Sequence, residues 1–257
     1  MSSSAHLILA RAFFGFDGEK FGLSFDVACH AGTLIALVVY FRREIGEMIA
    51  SLPYLILPGS LPAGRGVQHG DHVRLIWLLM VGTLPAVVIG LLFRNEIEAR
   101  MRTPLVAGVT LALGAILLLV AERIGSKVRG EQTVTMIDAT WIGCAQEAAL
   151  VPGVSRSGAA ITAALLLGLR RYDAARFIFL LAIPAILGAA MSEGLNVLRA
   201  GLGGTGALFV TGIVSSAIVG YVTVKYFIRY LGNHSLDGFA WYRLALAGAV
   251  AIRFWRA

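Results

Sequence analysis

The sequence predicts an all-α polytopic membrane protein, with about six transmembrane helices plus re-entrant helical hairpins arranged as inverted repeats. Three observations carry that reading. Of the 257 residues, 58% are hydrophobic and only 14% are charged, whereas soluble domains carry about 25% charged residues; mean hydropathy is +0.78. The apolar residues fall in blocks of spanning length. One apolar stretch is broken by a proline, glycine and serine turn that carries a lone arginine.

The chain opens on Ser2-Ser3-Ser4-Ala5-His6 ahead of the apolar run Leu7–Phe16, with no charged n-region of a cleavable signal peptide. Apolar blocks follow at Phe25–Phe41, Leu75–Phe93, Pro104–Ala121, Phe177–Met191, Ala207–Ile228 and Trp241–Trp255. Runs of about 17–25 apolar residues read as spans, and polar flanks that snorkel let the two shorter blocks cross as well. The polar segments Asp17–Ser24, Arg42–Arg74, Arg94–Thr103, Glu122–Asp138, Arg170–Arg176, Ser192–Gly206 and Arg229–Ala240 read as loops. Within the longest, Ile45–Leu57 reads as an interfacial helix. Nothing separates as a soluble domain, so residues 1–257 form one integral membrane domain.

A net charge of +7 would suggest nucleic acid in a soluble protein. Here it fits the basic loops that orient spans and meet anionic lipid, so membrane lipids are expected partners and nucleic acid is not. Cys29 and Cys144 make no CxxC motif and read as packing residues.

Residues 141–169 pose the topological question: one long span, or two half-helices that return to the side they came from. Basic residues arbitrate. With a re-entrant hairpin, segments 42–74, 122–138, 170–176 and 225–243 share one side and hold thirteen Lys and Arg, against seven on the other. A spanning segment would give ten on each side. The positive-inside rule favours the hairpin. Ser2–His6 before Leu7–Phe16 echoes Ser155–Gly158 before Ala159–Leu169, so residues 2–16 read as the remainder of a first hairpin of opposite orientation.

The chemistry-bearing residues gather at these two turns. In Val151-Pro152-Gly153-Val154-Ser155-Arg156-Ser157-Gly158, no other charge stands between Glu147 and Arg170. Arg at the centre of a membrane helix costs about 2.5–3.5 kcal/mol on insertion scales, so it is kept for a purpose. A guanidinium among serine hydroxyls and helix N-terminal N–H groups binds phosphate oxygens. Ser155, Arg156, Ser157 and Gly158 are therefore candidate phosphate-binding residues. His6 suits either attack on phosphorus or proton transfer near neutral pH. Ser3 and Ser4 read as nucleophile, donor or helix cap. Glu147 reads as metal ligand, partner of Arg156 or interface residue. Asp26 and His30 share a helix face, which is weak evidence for a metal site.

Ser3–His6 together with Pro152–Gly158 resemble the bacterial undecaprenyl-diphosphate phosphatase family, linked to bacitracin resistance. His30-Ala31-Gly32-Thr33, Leu180-Leu181-Ala182-Ile183-Pro184 and Trp241-Tyr242-Arg243 extend the resemblance through the chain. It implies a multi-pass enzyme of the bacterial inner membrane that removes the terminal phosphate of undecaprenyl diphosphate, recycling the carrier lipid of peptidoglycan synthesis. It also implies His6, Ser3 and Arg156 as catalytic residues, with Ser4, Ser155, Arg156, Ser157 and Gly158 on the phosphate. Mg²⁺ or Ca²⁺ is the implied cofactor, with Glu147 as a ligand present here. A second copy of the chain remains an open partner.

Two departures from the family pattern stand out. The family's E-x-x-x-E pattern, before the proline that precedes the serine run, has no counterpart after Met1. The first hairpin is thus expected to be truncated, most cation ligands to be missing and turnover to be weak. Ala160 stands where the family has Thr, with Thr162 two residues on. The rival readings are a prenyl-phosphate lipid flippase and an inactive fragment.

Overall fold

The computed structural model describes residues 3–15, 23–56, 66–101, 103–200 and 206–254. Eleven α-helices occupy them: α1 (Ser3–Phe14), α2 (Leu23–Tyr40), α3 (Arg42–Ser51), α4 (Pro53–Ile56), α5 (Gly66–Met101), α6 (Pro104–Ile124), α7 (Met136–Glu147), α8 (Arg156–Leu166), α9 (Arg171–Ala200), α10 (Gly206–Leu231) and α11 (Asp237–Phe254). Among the described residues there is no strand, only one isolated bridge between Arg129 and Leu169.

Four helical stretches are long and apolar enough to cross a membrane: His69–Gly90, Pro104–Ile124, Arg171–Met191 and Gly206–Leu231. A fifth qualifies if α2 and α3, bent by 75° at their junction, count as one broken span. The remaining apolar block is α11, eighteen residues that include Asp237, Arg243 and Arg253. The helices turn apolar side chains outward. Leu84, Val88, Leu113, Leu117, Val214, Ile218 and Val219 are all exposed, a surface that water would not tolerate and lipid favours. The chain is an all-α multi-pass membrane protein.

Helix ends differ from the expected loops. α5 runs through residues 94–101, α9 continues to Ala200, and residues 66–74 are already helical. Polar stretches such as Arg94-Asn95-Glu96-Ile97-Glu98-Ala99-Arg100 are made of good helix formers, so the helix does not stop where apolarity stops. α6 shows the opposite case, with both ends marked locally. Thr103 caps it by accepting from the Val106 N–H, Pro104 follows at the first helical position, and Gly125 closes it. The expected helix at Ile45–Leu57 is α3 followed by the short α4.

Close crossings use small residues. A methyl group added at Gly32 on α2 would lie 2.0 Å from Ser216 Oγ and 2.3 Å from the Ile213 carbonyl oxygen on α10. One at Gly143 on α7 would lie 2.0 Å from the Gly82 carbonyl oxygen on α5. Such contacts let backbones approach where lipid offers no hydrophobic drive for helix association.

One end of the bundle is tied by ions. Arg171 donates to both carboxylate oxygens of Glu122 at 2.7–3.1 Å, and Glu122 also accepts the Leu236 N–H at 2.9 Å. Arg176 reaches Glu131 at 3.2 Å and Glu44 at 3.5 Å, and Arg74 donates to the Val134 carbonyl. These contacts bring Glu44, Arg74, Glu122, Glu131, Val134, Arg171, Arg176 and Leu236 to the same end. Arg243 departs from the expected loop set: it is 1% exposed inside the bundle. Cys144 also departs, since it is exposed rather than packed.

Candidate phosphate-binding site

The hairpin that carries Arg156 is built from both ends toward its tip. α7 starts on a capping box: Thr135 Oγ1 accepts from the Asp138 N–H at 3.1 Å, and Asp138 Oδ2 accepts from the Thr135 N–H at 2.9 Å. Arg129 also donates to Asp138 Oδ2 at 2.6 Å. Burial alone would push the Asp138 carboxyl up, but Arg129 and the Thr135 donors hold it below the usual carboxylate value. A depressed folded pKa stabilises fully above the ordinary value and is lost as pH falls through the folded one. The melting temperature of the wild type in detergent is therefore expected to fall as pH drops below about 4. Asp138→Asn should lack that share of the loss; identical pH profiles for the two proteins would refute the assignment.

The two ends of the hairpin meet. The Arg129 N–H donates to the Gly168 carbonyl at 2.9 Å, the Arg170 N–H donates to the Arg129 carbonyl at 2.8 Å, and Arg129 Nη1 donates to the Leu167 carbonyl at 2.8 Å. Neither arm is long. With twelve and eleven residues, α7 and α8 rise about 18 and 16 Å, short of the roughly 30 Å of a bilayer's hydrocarbon core.

At the tip, residues 148–155 reverse the chain. Pro152 and Gly153 are buried against α6, and Thr110 Oγ1 donates to the Pro152 carbonyl at 2.5 Å. Gly153 has φ +99°, and a methyl group there would lie 2.0 Å from Thr110 Oγ1 and 2.4 Å from the Ala107 carbonyl oxygen. Glycine is therefore required twice over, by conformation and by space. Ser155 follows with φ +69° and ψ 110°, outside the left-handed well that side chains tolerate, at a cost of about 1–3 kcal/mol. Its Oγ accepts the Gly158 N–H at 3.1 Å and so caps α8. The hydroxyl proton remains available to donate.

This geometry delivers Arg156 to the first position of α8, half-buried and in electrostatic contact with Glu147. Ser157 follows it, also half-buried. Thr162 donates its hydroxyl to the Gly158 carbonyl of its own helix at 2.8 Å, and Ala160 is fully buried. Thr162 is thus committed inside α8 rather than to the turn.

The second cluster lies on α1. His6 Nε2 is 2.8 Å from the Tyr242 hydroxyl, and the two rings stack at 5.7 Å with 9° between their planes. Beside His6, Ala5 packs with Leu9, Ala107, Leu111, Ala247 and Val250 in one small buried cluster. Ala107 is the residue whose backbone abuts Gly153. The start of α1, through Ala5, and the Arg156 turn, through Gly153, therefore pack on the same stretch of α6. Ser3 and Ser4 stand at the start of α1; their side chains, and Ser2 as a whole, lie outside the described residues. Asp26 pairs with Arg11 of α1, and among the described residues it joins no metal-binding group. A polar cavity lined by Asp71, Arg74, Lys127, Glu131, Arg170 and Asp173 opens at the ion-tied end. It contains none of these candidate residues.

With the Arg156 turn and α1 both packed on α6, the comparison with known proteins is decisive. A family model described as "Bacitracin resistance protein BacA" matches residues 1–249. The chain belongs to the BacA family. A relative named undecaprenyl-diphosphatase from Rubrobacter xylanophilus is 46% identical over 252 residues, 98% of this chain and 90% of that protein. Proteins of the same name from Moorella thermoacetica (39% over 255 residues, 99% and 91%) and Pelobacter propionicus (43% over 252 residues, 97% and 89%) are similarly related. Two contributors went unassigned in the sequence, Tyr242 and Arg243. A signal for Arg243 existed: it is the single charge between Asp237 and Arg253, the same oddity that marked Arg156.

Proposed function

We propose that this protein hydrolyses undecaprenyl diphosphate to undecaprenyl phosphate and inorganic phosphate in the bacterial inner membrane, recycling the carrier lipid of cell-wall synthesis. The observation that carries the reading is the α7–α8 turn, which sets Arg156 and a cluster of N–H and O–H donors among apolar helices. The naming of the relatives supports it.

In this reading Arg156 grips the terminal phosphate through its planar fork. Ser155, Ser157 and the first-turn N–H groups of α8 add donors, and the hydroxyls of Ser3 and Ser4, which open α1, would add more. Attack on the terminal phosphorus breaks its bond to the bridging oxygen, which departs on undecaprenyl phosphate. His6 either attacks and is then freed by water, or takes the proton from water or Ser3. Positioning and electrostatic stabilisation supply most of the acceleration in such transfers. All these groups come from one chain, so the reading needs no second copy. The prenyl tail lies along the exposed apolar helix faces.

Among the described residues no group of three His, Cys, Asp or Glu is placed to hold a metal ion. A divalent cation fits only as a partner of the substrate, because Mg²⁺ is commonly held by one or two carboxylates plus substrate phosphates. Glu147, buried beside the turn, would be its protein ligand. Mg²⁺ or Ca²⁺ held there would neutralise phosphate charge. The test is phosphate release from undecaprenyl diphosphate by purified protein in detergent, with and without chelator. Metal-dependent release without any gradient supports the reading; lipid translocation with no hydrolysis replaces it with a flippase.

Re-entry of residues 141–169 belongs to the same proposal, supported by the hydrogen bonds that join the hairpin's two ends. Val128 and Tyr172 are both exposed. In a background of Cys29→Ala and Cys144→Ala, Val128→Cys and Tyr172→Cys should react with an impermeant thiol reagent from one side, and Met101→Cys from the other. Labelling of 128 and 172 from opposite sides would overturn the topology.

A further inference from the structure

Tyr242 and Arg243 are adjacent on α11, and each touches a different half of the site. Successive residues on a helix point about 100° apart, so neighbours reach different elements. Tyr242 goes to His6 on α1. Arg243 goes to the α7–α8 turn, where its Nη2 donates to the Gly153 carbonyl at 3.2 Å and to the Val154 carbonyl at 3.1 Å.

The path of Arg243 is built for it. A methyl group at Gly114 on α6 would lie 2.2 Å from Nη2, and one at Gly158 on α8 would lie 2.8 Å from Nη1. The guanidinium thus passes through a slot between two glycines, and the side chain is among the largest fully buried ones. Among the described residues its Nε has no hydrogen-bond partner. The bonds it does make are to backbone oxygens, so its position answers to the turn.

Those bonds have a consequence for the anion. In a planar trans peptide the C=O and the following N–H point in opposite directions. Fixing the Val154 carbonyl on Arg243 therefore aims the Ser155 N–H away from Arg243. Charge-assisted bonds are also the strong kind, which offsets the unfavourable backbone of Ser155. Without Arg243 the turn has less reason to keep Ser155 at positive φ and Arg156 at the head of α8. At α1 the Tyr242 hydroxyl and ring fix the direction of His6 Nε2.

We propose that Tyr242 and Arg243 are positioning residues through which α11 sets the two halves of the site against each other: Arg243 orders the phosphate-binding turn and Tyr242 orients His6. This rests on the phosphatase reading above. The two residues should leave separate kinetic signatures, which a general loss of packing would not.

The experiment compares wild type, Arg243→Gln and Tyr242→Phe in detergent. It measures kcat and KM for undecaprenyl diphosphate, the inhibition constant of inorganic pyrophosphate, and the pyrophosphate-induced rise in melting temperature. Arg243→Gln should weaken pyrophosphate inhibition about tenfold and lower kcat/KM by about 10², and the rise in melting temperature should shrink. Tyr242→Phe should lower kcat about tenfold while KM and pyrophosphate inhibition stay within about twofold. If Arg243→Gln does not fold, Arg243→Lys is read instead, with a smaller change of the same sign. Variants that lose melting temperature alone, or that change kcat and KM alike at both positions, overturn the proposal. Wild type that binds pyrophosphate but releases no phosphate from the lipid defeats the phosphatase reading instead; the pyrophosphate arm then still decides the role of Arg243.

Discussion

Arg156→Ala is expected to lower kcat by about 10²–10³, the usual cost of removing one well-placed electrostatic partner from a transition state. The guanidinium opens α8 and interacts electrostatically with Glu147, so its loss removes a positive charge at the head of the turn. It also leaves a buried carboxylate uncompensated, and some stability should go with it. Activity per folded molecule must therefore be measured alongside melting temperature. The double variant Arg156→Ala/Glu147→Gln separates the two effects: stability should recover and activity should not. Arg156→Lys should remain at least about tenfold impaired, because an ammonium cannot reproduce a bidentate fork on phosphate. Full activity per folded molecule in Arg156→Ala would make the residue a structural cap.

Gly153→Ala is expected to have the next largest effect, and it touches no substrate. At φ +99° alanine is strained, by more than about 1 kcal/mol, and its methyl group would meet Thr110 Oγ1 and the Ala107 carbonyl. The turn can then only back away from α6, carrying the Gly153 and Val154 carbonyls off Arg243 and moving Arg156. Misplacement of about 1 Å commonly costs around 10² in rate. Phosphate release should fall by about that factor, and the melting temperature should drop as well. An active, normally stable Gly153→Ala protein would mean that the turn does not pack on α6 as described.

Much of the fold was legible because lipid imposes a simple rule: backbone polar groups must be satisfied within each segment. Apolar length therefore translates directly into helices, and α2, α6 and α10 begin or end close to their apolar blocks. The rule says nothing about where a helix ends once it leaves lipid. That is why α5 and α9 overran the expected loops through polar but helix-prone residues. Cys144 was misplaced for a related reason, since apolar surroundings in sequence do not tell the packed face from the lipid face.

The site divides the same way. Arg156 and its serines stood out because a charge inside an apolar stretch is expensive and adjacent in sequence to the donors that explain it. His6 was singled out because the segment before it resembles the second turn. Arg243 carried the same lone-charge signal, yet it read as a loop residue near the end of a span, and its partners, Gly153 and Val154, lie ninety residues upstream.

By itself the sequence determined the class of protein, the two turns and the chemistry they can offer, because those follow from local composition and the cost of burying charge. Only the tertiary structure decided that α1 and the Arg156 turn pack on the same stretch of α6, that Ser155 is held at positive φ, and that α11 touches both. Those are facts of helix packing between distant segments, fixed by which glycines let which backbones approach. No local pattern encodes that.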